Sequence, residues 1–462
     1  MRKMKFAAAA LFVLLAAWVF PPVVSKLRRL CPVRPGGVRE AGALPAFSRK
    51  YGVSCSQCHY AYPILNGYGR QFKMNGFVRE KGSSDGVLKT PDNQLWIEKI
   101  FPWALIVRSR PIDNGKGSVA NQGTQMGGTA SPNPNGFKFE PLNDADFFVA
   151  GGDAAKQISY FGEIDANSAG DFSPALGDLR FGWHPYQFAN VILARRGFFA
   201  DDPYQTIASN ESPTIANKAT DLLMSDQGSI SGNAITGSQQ MAAINGQVNL
   251  PGSQAFLYYA LGATKDSDLG HQARNPTNGA MRLAFDSGGG MMVGGFGAYG
   301  HEGPFADCGA GGACPGLGFT DNTAKEQFLR GGFDGLLEMG ALAFRAAFVY
   351  LHDGDPAFDG ASATDRAAYA ELAYAFTLAG QDYPFLLPLI RENWYTTFNG
   401  AQQFNYITAH LAHYFRPNVK AFVEYSVDTK RAFQGGTLPA QGSDGALAMR
   451  GNRATVQVEV GF

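Results

Sequence analysis

The sequence predicts a mostly β fold, an outer-membrane-type barrel of about sixteen strands with a small N-terminal domain, and three observations predict it. From Trp103 onward about sixteen segments, mostly 9 to 13 residues long, have the length that a tilted membrane-crossing strand needs. The connections between them alternate between long and short, as they do where long external loops oppose short periplasmic turns. The chain ends on Phe462 after a stretch of strict period-two alternation.

The first element is a leader. Arg2, Lys3 and Lys5 precede an apolar run from Phe6 to Phe20, which Pro21 and Pro22 stop. Its 15 residues are short for a spanning helix and have the layout of a secretory signal peptide. Two small-residue patterns compete for cleavage, so the first unit, 1–43, ends in a cut after Ser25 or after Ala43; an uncleaved anchor is the alternative. Composition agrees with export to a membrane barrel. Hydrophobic residues make up 45%, unlike a bundle of membrane helices, while 57 Gly, 18 Tyr and 35 Phe suit short strands, tight turns and an aromatic girdle. With 39 basic and 39 acidic residues, no electrostatic footprint for nucleic acid or anionic lipid stands out.

The second unit, 44–93, holds Cys55-Ser56-Gln57-Cys58-His59. This is the C-x-x-C-H attachment pattern for a c-type haem. The spacing has a chemical reason: two thiols must reach the two vinyl groups on one porphyrin edge while the adjacent imidazole reaches the iron. Cys55 and Cys58 are thus candidate thioether residues, His59 is the candidate proximal ligand, and the cofactor expected is one heme c per chain. A redox dithiol or half of a zinc site are the alternatives, although no second Cys/His pair lies nearby to complete a zinc site. Cys308 and Cys314 flank a glycine-rich segment, where a short loop disulfide is expected in an oxidising compartment, and Cys31 is left over.

Around that motif the stretch from Leu44 to Cys55, continued by Pro63, Leu65, Asn66, Gly69, Phe72, Lys73, Asn75, Gly76 and Phe77, resembles the N-terminus of the fused cytochrome-porins. These are monohaem outer-membrane proteins best known as iron oxidases of iron-oxidising bacteria. The match covers about 35 residues, and the layout of the remaining chain agrees with it. The resemblance implies a ferrous-iron-oxidising cytochrome in the bacterial outer membrane. It also implies an extracellular Fe(II) donor and a periplasmic electron carrier of cytochrome or cupredoxin type.

The third unit, 94–462, reads as the barrel. Candidate strands include Phe137 to Ala150, Ile158 to Asp165, Leu176 to His184, Val191 to Phe199, Met281 to Asp286, Phe328 to Glu338, Leu342 to His352, Ala368 to Thr377 and Phe404 to Phe415. Val419, Ala421, Val423, Tyr425 and Val427 share one face, with Phe422 an exception on the polar one. In the last strand Val456, Val458, Val460 and Phe462 face lipid, and Thr455, Gln457, Glu459 and Gly461 face the lumen. Long connections fall near 111–136, 200–236, 265–278, 302–325, 353–365 and 431–451, and are expected outside the cell. An even strand count then puts both chain ends in the periplasm. A soluble all-β protein is the alternative for any single strand.

A barrel of this size leaves an aqueous lumen. The 44–93 unit is too small to bury a haem unaided, so docking within or beneath the lumen is expected to supply the missing walls. The hydrocarbon layer is about 30 Å thick, too far for one electron hop from a surface haem, which favours a haem held inside. Three residues are candidates for the distal iron ligand: Met74 in the haem unit, and His184 and His410, whose parity points both into the lumen. His271, His301 and His352 fall in or beside long loops and are expected on the outer surface. The acidic run from His352 to Pro356, with Asp359, offers donors suited to hard cations but is read as a turn, since turns select the same residues.

The sequence therefore points to an electron-transfer protein. A conduit for another donor, or for outward flow, and a solute porin with a haem-bearing plug or sensor are the rival readings. One covalent haem per chain has a direct check: replacing Cys55 and Cys58 together with Ala is expected to abolish haem staining on a denaturing gel.

Overall fold

A computed structural model describes residues 45–78, 87–88, 97–98, 102–115, 137–153, 157–167, 174–209, 212–224, 240–265, 278–302, 326–354, 362–400, 402–433 and 453–462. The leader and the Cys308 and Cys314 loop lie outside them.

Period-two alternation from residue 103 onward forms sixteen antiparallel staves that close into one barrel. The first eight are β1 (Trp103–Gly115), β2 (Phe137–Asp153), β3 (Ile158–Asn167), β4 (Pro174–Tyr186), β5 (Ala189–Arg195), β6 (Gln240–Asn249), β7 (Phe256–Lys265) and β8 (Asn278–Asp286). The second eight are β9 (Met291–Glu302), β10 (Glu326–Met339), β11 (Leu342–Asp353), β12 (Ala363–Tyr374), β13 (Pro384–Thr397), β14 (Gln402–Arg416), β15 (Val419–Phe433) and β16 (Arg453–Gly461). A short piece, Phe376–Thr377, prolongs β12 along β13. Closure comes from β16 on β1, with Val456 opposite Ile112 and Gly461 opposite Ile106. The terminal Phe462 exchanges backbone hydrogen bonds with Leu105 at 2.8 and 3.2 Å, so the last residue seals the seam.

The two faces of the wall invert the usual soluble pattern. Phe181, Trp183, Leu193, Leu261, Met281, Leu283, Ile390 and Val423 are exposed outside, whereas Arg282, Arg330, Asp334, Glu371, Arg391 and Glu424 are buried within. An apolar exterior around a polar interior is the signature of a barrel in hydrocarbon. Trp103, Trp183, Tyr186, Phe188, Tyr374, Phe376, Phe415 and Phe462, all exposed, ring the short-turn end as the expected aromatic girdle. Phe422 breaks the alternation for a local reason: it points inward and packs with Ala61 and Ile64 of the N-terminal segment.

Several expectations are corrected. The strand expected from Val191 to Phe199 ends at Arg195, and of the connection expected as an external loop over 200–236 the described residues, 200–209 and 212–224, turn inward. Its apolar side chains Phe198, Phe199, Tyr204 and Ile207 are buried in the largest core cluster with Ala260, Ala280 and Phe296 of the wall. The strand expected from Leu342 to His352 runs one residue further, so Asp353, expected in a turn, belongs to β11 and pairs with Arg330 inside the wall, while His352 is half-buried near Thr364. His301 ends up on β9, and His271 lies outside the described residues.

A chain entering the lumen must satisfy its backbone there. The inward loop does so against four staves, and its side chains pair with two more. Arg282 of β8 meets Asp202 at 3.1 Å and Asp334 of β10 at 2.6 Å, and Asp334 accepts from Thr206. Tyr369 of β12 donates to the Thr206 carbonyl at 2.5 Å, Asn393 of β13 accepts from the Ala219 amide at 3.0 Å, and Tyr406 of β14 donates to the Asn217 carbonyl at 2.6 Å. Glu424 of β15 accepts from the amides of Ile215 and Ala216 at 2.9 and 2.7 Å. The loop is a fixed internal partition. Deleting residues 198–224 is expected to raise single-channel conductance in planar bilayers several-fold; unchanged conductance would count against a partition.

Candidate haem site

The C-x-x-C-H motif folds into a one-turn helix, α2 (Cys55–Cys58), after the short α1 (Pro45–Tyr51). His59 opens a small hairpin that leads to α3 (Gly67–Met74). Asn66 ties the turn down: its Oδ1 caps α3 by accepting from the Gly69 amide at 2.9 Å, and its Nδ2 donates to the Ser56 carbonyl at 3.0 Å. Gly69 lies so close to α2 that a Cβ there would meet the Cys58 carbonyl at 2.0 Å. Phe47, Tyr51, Phe72 and Phe77 form the segment's own small core, finished by Ala150 and Phe161 of the wall. The barrel supplies the missing side of this core, as the size of the segment requires.

The segment seats against the short-turn mouth. Lys50 donates to the Gly152 carbonyl at 3.0 Å, the Ala375 amide to Tyr60 Oη at 3.0 Å, and Tyr414 to the Tyr62 carbonyl at 2.7 Å. Arg70, almost fully buried, forms a two-pronged ion pair with Glu338 at 2.8 and 3.1 Å. The inward loop reaches the same place through Gln205, whose Oε1 accepts from the Leu65 amide at 2.8 Å while Nε2 donates to the Pro63 carbonyl at 3.3 Å. Gln205 holds φ at +58°, a conformation non-glycine residues adopt only when their surroundings impose it.

His59 directs its Nδ1 to the Pro63 carbonyl at 3.2 Å. A carbonyl only accepts, so Nδ1 carries the proton and Nε2 is the nitrogen suited to metal. Tyr62 stands edge-on to the His59 ring at 5.3 Å, with Lys420 Nζ 4.9 Å from the tyrosine ring. Both thiols are buried and unbridged. Burial pushes the Cys58 thiol up to about 11, and burial together with Asp382 pushes Cys55 higher still.

The three distal candidates are brought to different surroundings. Met74 is buried in the cluster that holds the inward loop. His184 is engaged on both ring nitrogens, with Asn190 Oδ1 at 3.1 Å and Ser159 Oγ at 2.7 Å, directly beneath Gly76. His410 gives Nδ1 to Glu424 at 3.1 Å, and its Nε2 is buried with no hydrogen-bond partner among the described residues. Neither histidine is simply solvated, as lone lumen histidines usually are. Among the described residues Asp146, Glu163 and Asp165 also bring one carboxylate oxygen each within 4.8 Å of one another on the lumen side of β2 and β3.

No family model matches this sequence, and no curated protein does. Among solved structures, the in-vitro folded OmpT of Vibrio cholerae is similar at 10% identity and a TM-score of 0.49, over 79% of this chain and 97% of that one. OmpF of Salmonella typhi, solved with daunomycin, is similar at 13% identity and a TM-score of 0.49, over 79% and 98%. The channel DcaP of Acinetobacter baumannii is 12% identical with a TM-score of 0.43, over 79% and 97%.

Sequence reasoning misses Gln205, Glu424 and Glu338, because each acquires its role from a residue more than a hundred positions away. Gly76 carries a visible signal, a glycine just past the end of α3. It holds φ at +70°, and a Cβ there would lie 2.1 Å from His184 Nε2. Gly76→Ala is expected to undock the segment, through that overlap and about 1 to 2 kcal/mol of left-handed strain. Limited proteolysis should then cut residues 45–78 faster while the barrel keeps its heat-modifiable gel mobility.

Proposed function

We propose that this chain is an outer-membrane electron-transfer protein of the fused cytochrome-porin type, with one covalent haem c and both termini periplasmic. It takes electrons from an extracellular donor, Fe(II) by preference, and hands them to a periplasmic carrier. The observation that carries this reading is the seating of the C-x-x-C-H segment in the short-turn mouth, joined through Gln205 to the inward loop. The donor set suits the group: two buried thiols one turn apart and an imidazole whose Nδ1 is already taken by a carbonyl. When bound, the haem supplies one-electron chemistry.

The remaining roles fall to the chain itself. Pro63 orients His59, Asn66 and Gly69 hold the two helices together, and Arg70 with Glu338 locks the segment to the barrel. Of the distal candidates His410 is the one the geometry favours, since a carboxylate holds one nitrogen and leaves the other buried and unmatched. The carboxylates of Asp146, Glu163 and Asp165 give the lumen an oxygen-rich patch of the kind a hard divalent cation prefers. A solute porin is the second reading, favoured by the sixteen-stave wall alone.

Proteoliposomes separate the two. With an oxidant trapped on the haem-segment side and Fe(II) supplied on the long-loop side, the intact protein is expected to oxidise iron, and His59→Ala to lose the reaction while the barrel still assembles. Equal rates for both proteins indicate leakage through an open pore and favour the porin.

A further inference from the structure

Most arginines buried in this wall are matched by carboxylates. Arg282 has Asp202 and Asp334, Arg453 has Asp113, and Arg108 has Asp144, Asp146 and Glu459. One group departs from that pattern. Arg345 of β11, Glu371 of β12 and Arg391 of β13 stand side by side in register across three adjacent staves. Glu371 serves both arginines, with Oε1 at 3.6 Å from Arg345 and Oε2 at 3.3 Å from Arg391. Lys218 of the inward loop approaches from within, its ammonium hydrogen-bonded among the described residues to the carbonyls of Gln205 and Ala208 at 2.5 and 2.7 Å. All four side chains are at most 3% exposed. Glu371 is the one carboxylate paired with either guanidinium, while the half-buried Asp221 acts on Lys218 and Glu424 acts on Arg391 from farther off.

Hydrogen bonding tells the same story. Among the described residues, Arg345 makes no hydrogen bond, and its Nε and Nη2 are buried without partners. Arg391 Nε and Asn393 Nδ2, two residues apart on the same inward face, are buried without partners as well. Every unmatched atom here is a donor. Buried guanidinium donors are ordinarily paired, and a single acceptor-only group of negative charge answers all of these donors at once.

We propose that Arg345, Arg391 and Asn393 form a buried oxyanion site that takes a carboxylate or phosphate group between β11 and β13. Because one carboxylate already touches both guanidiniums, their forks lie within reach of one small anion. Burial pushes the Lys218 ammonium down to about 7, with Glu371 opposing the shift and Arg345 and Arg391 adding to it. The site adjoins the candidate haem segment. Tyr60 donates to the Ala341 carbonyl at the foot of β11, and Ala61 and Ile64 cluster with Ala373 and Leu389, the next inward residues below Glu371 and Arg391. The oxyanion therefore has two sources: a propionate of the haem, which rests on the haem reading, or a free inorganic anion, which does not.

The full-length protein and its Cys55→Ala/Cys58→Ala variant would each be titrated with inorganic phosphate at constant ionic strength, with chloride as the comparison, by equilibrium dialysis and thermal unfolding. Saturable phosphate binding to the haem-free variant, with a rise of several degrees in its midpoint, is expected. Arg345→Gln should weaken binding about tenfold or more, and Arg345→Lys should restore part of it while keeping the folded gel mobility. Binding confined to the haem-free variant identifies the propionate as the natural occupant; binding to both proteins identifies a free oxyanion. Either result upholds the site. No saturable binding to either protein, or binding unchanged in Arg345→Gln, overturns it. If haem staining shows that the native protein carries no haem, the haem reading fails, and phosphate binding to that protein still decides the site.

Discussion

The closed hydrogen-bond ladder governs everything else in this structure. In hydrocarbon no water can satisfy a backbone amide, so the strands must pair all the way round, and the seam between β16 and β1 removes the last open edge. Once the ladder closes, alternation stops being a tendency and becomes a rule. One face of every stave meets lipid and takes Phe181, Leu261 or Val423, and the other meets the lumen and takes Arg330, Asp334 or Glu371.

Sixteen staves enclose more space than wall side chains fill, and the chain uses its own length to occupy it. Two separate pieces enter. The inward loop after β5 brings apolar residues and backbone groups that four staves of the wall satisfy, and the N-terminal segment closes on it from the short-turn mouth. Their contact is small but specific. Gln205 serves the Leu65 amide and the Pro63 carbonyl at once, and Pro63 is the residue that orients His59. The loop thus acts on the candidate proximal histidine through one shared carbonyl, a coupling that neither piece has alone.

Buried charge in the lumen does structural rather than solvating work. Breaking one partner of a buried pair leaves an uncompensated charge and costs about 3 to 5 kcal/mol, more than a surface pair could contribute. Pairs such as Arg70 with Glu338 and Arg282 with Asp202 and Asp334 therefore fix the inserted pieces in one position. At Arg345 and Arg391 two guanidiniums share the single carboxylate of Glu371, and with Asn393 they leave four buried donors without a partner among the described residues.

By itself the sequence determined the strand count and the inward and outward faces, and it carries in Cys55, Cys58 and His59 the motif on which the proposed haem chemistry rests. These are local properties: a strand's two faces are written in its own alternation, and the haem motif lies within five residues. The inward parity of His184 and His410 was legible for the same reason. Only the tertiary structure decided that residues 196–224 turn inward, that Phe422 faces the segment, that His184 is engaged on both nitrogens and that His410 is held by Glu424. A polar loop bound for water and one bound for a polar lumen have the same composition, and what separates them is whether the far staves place Tyr369, Asn393 and Glu424 where its backbone can be satisfied. That complementarity exists between positions distant in the chain, so it comes into being only when the barrel closes.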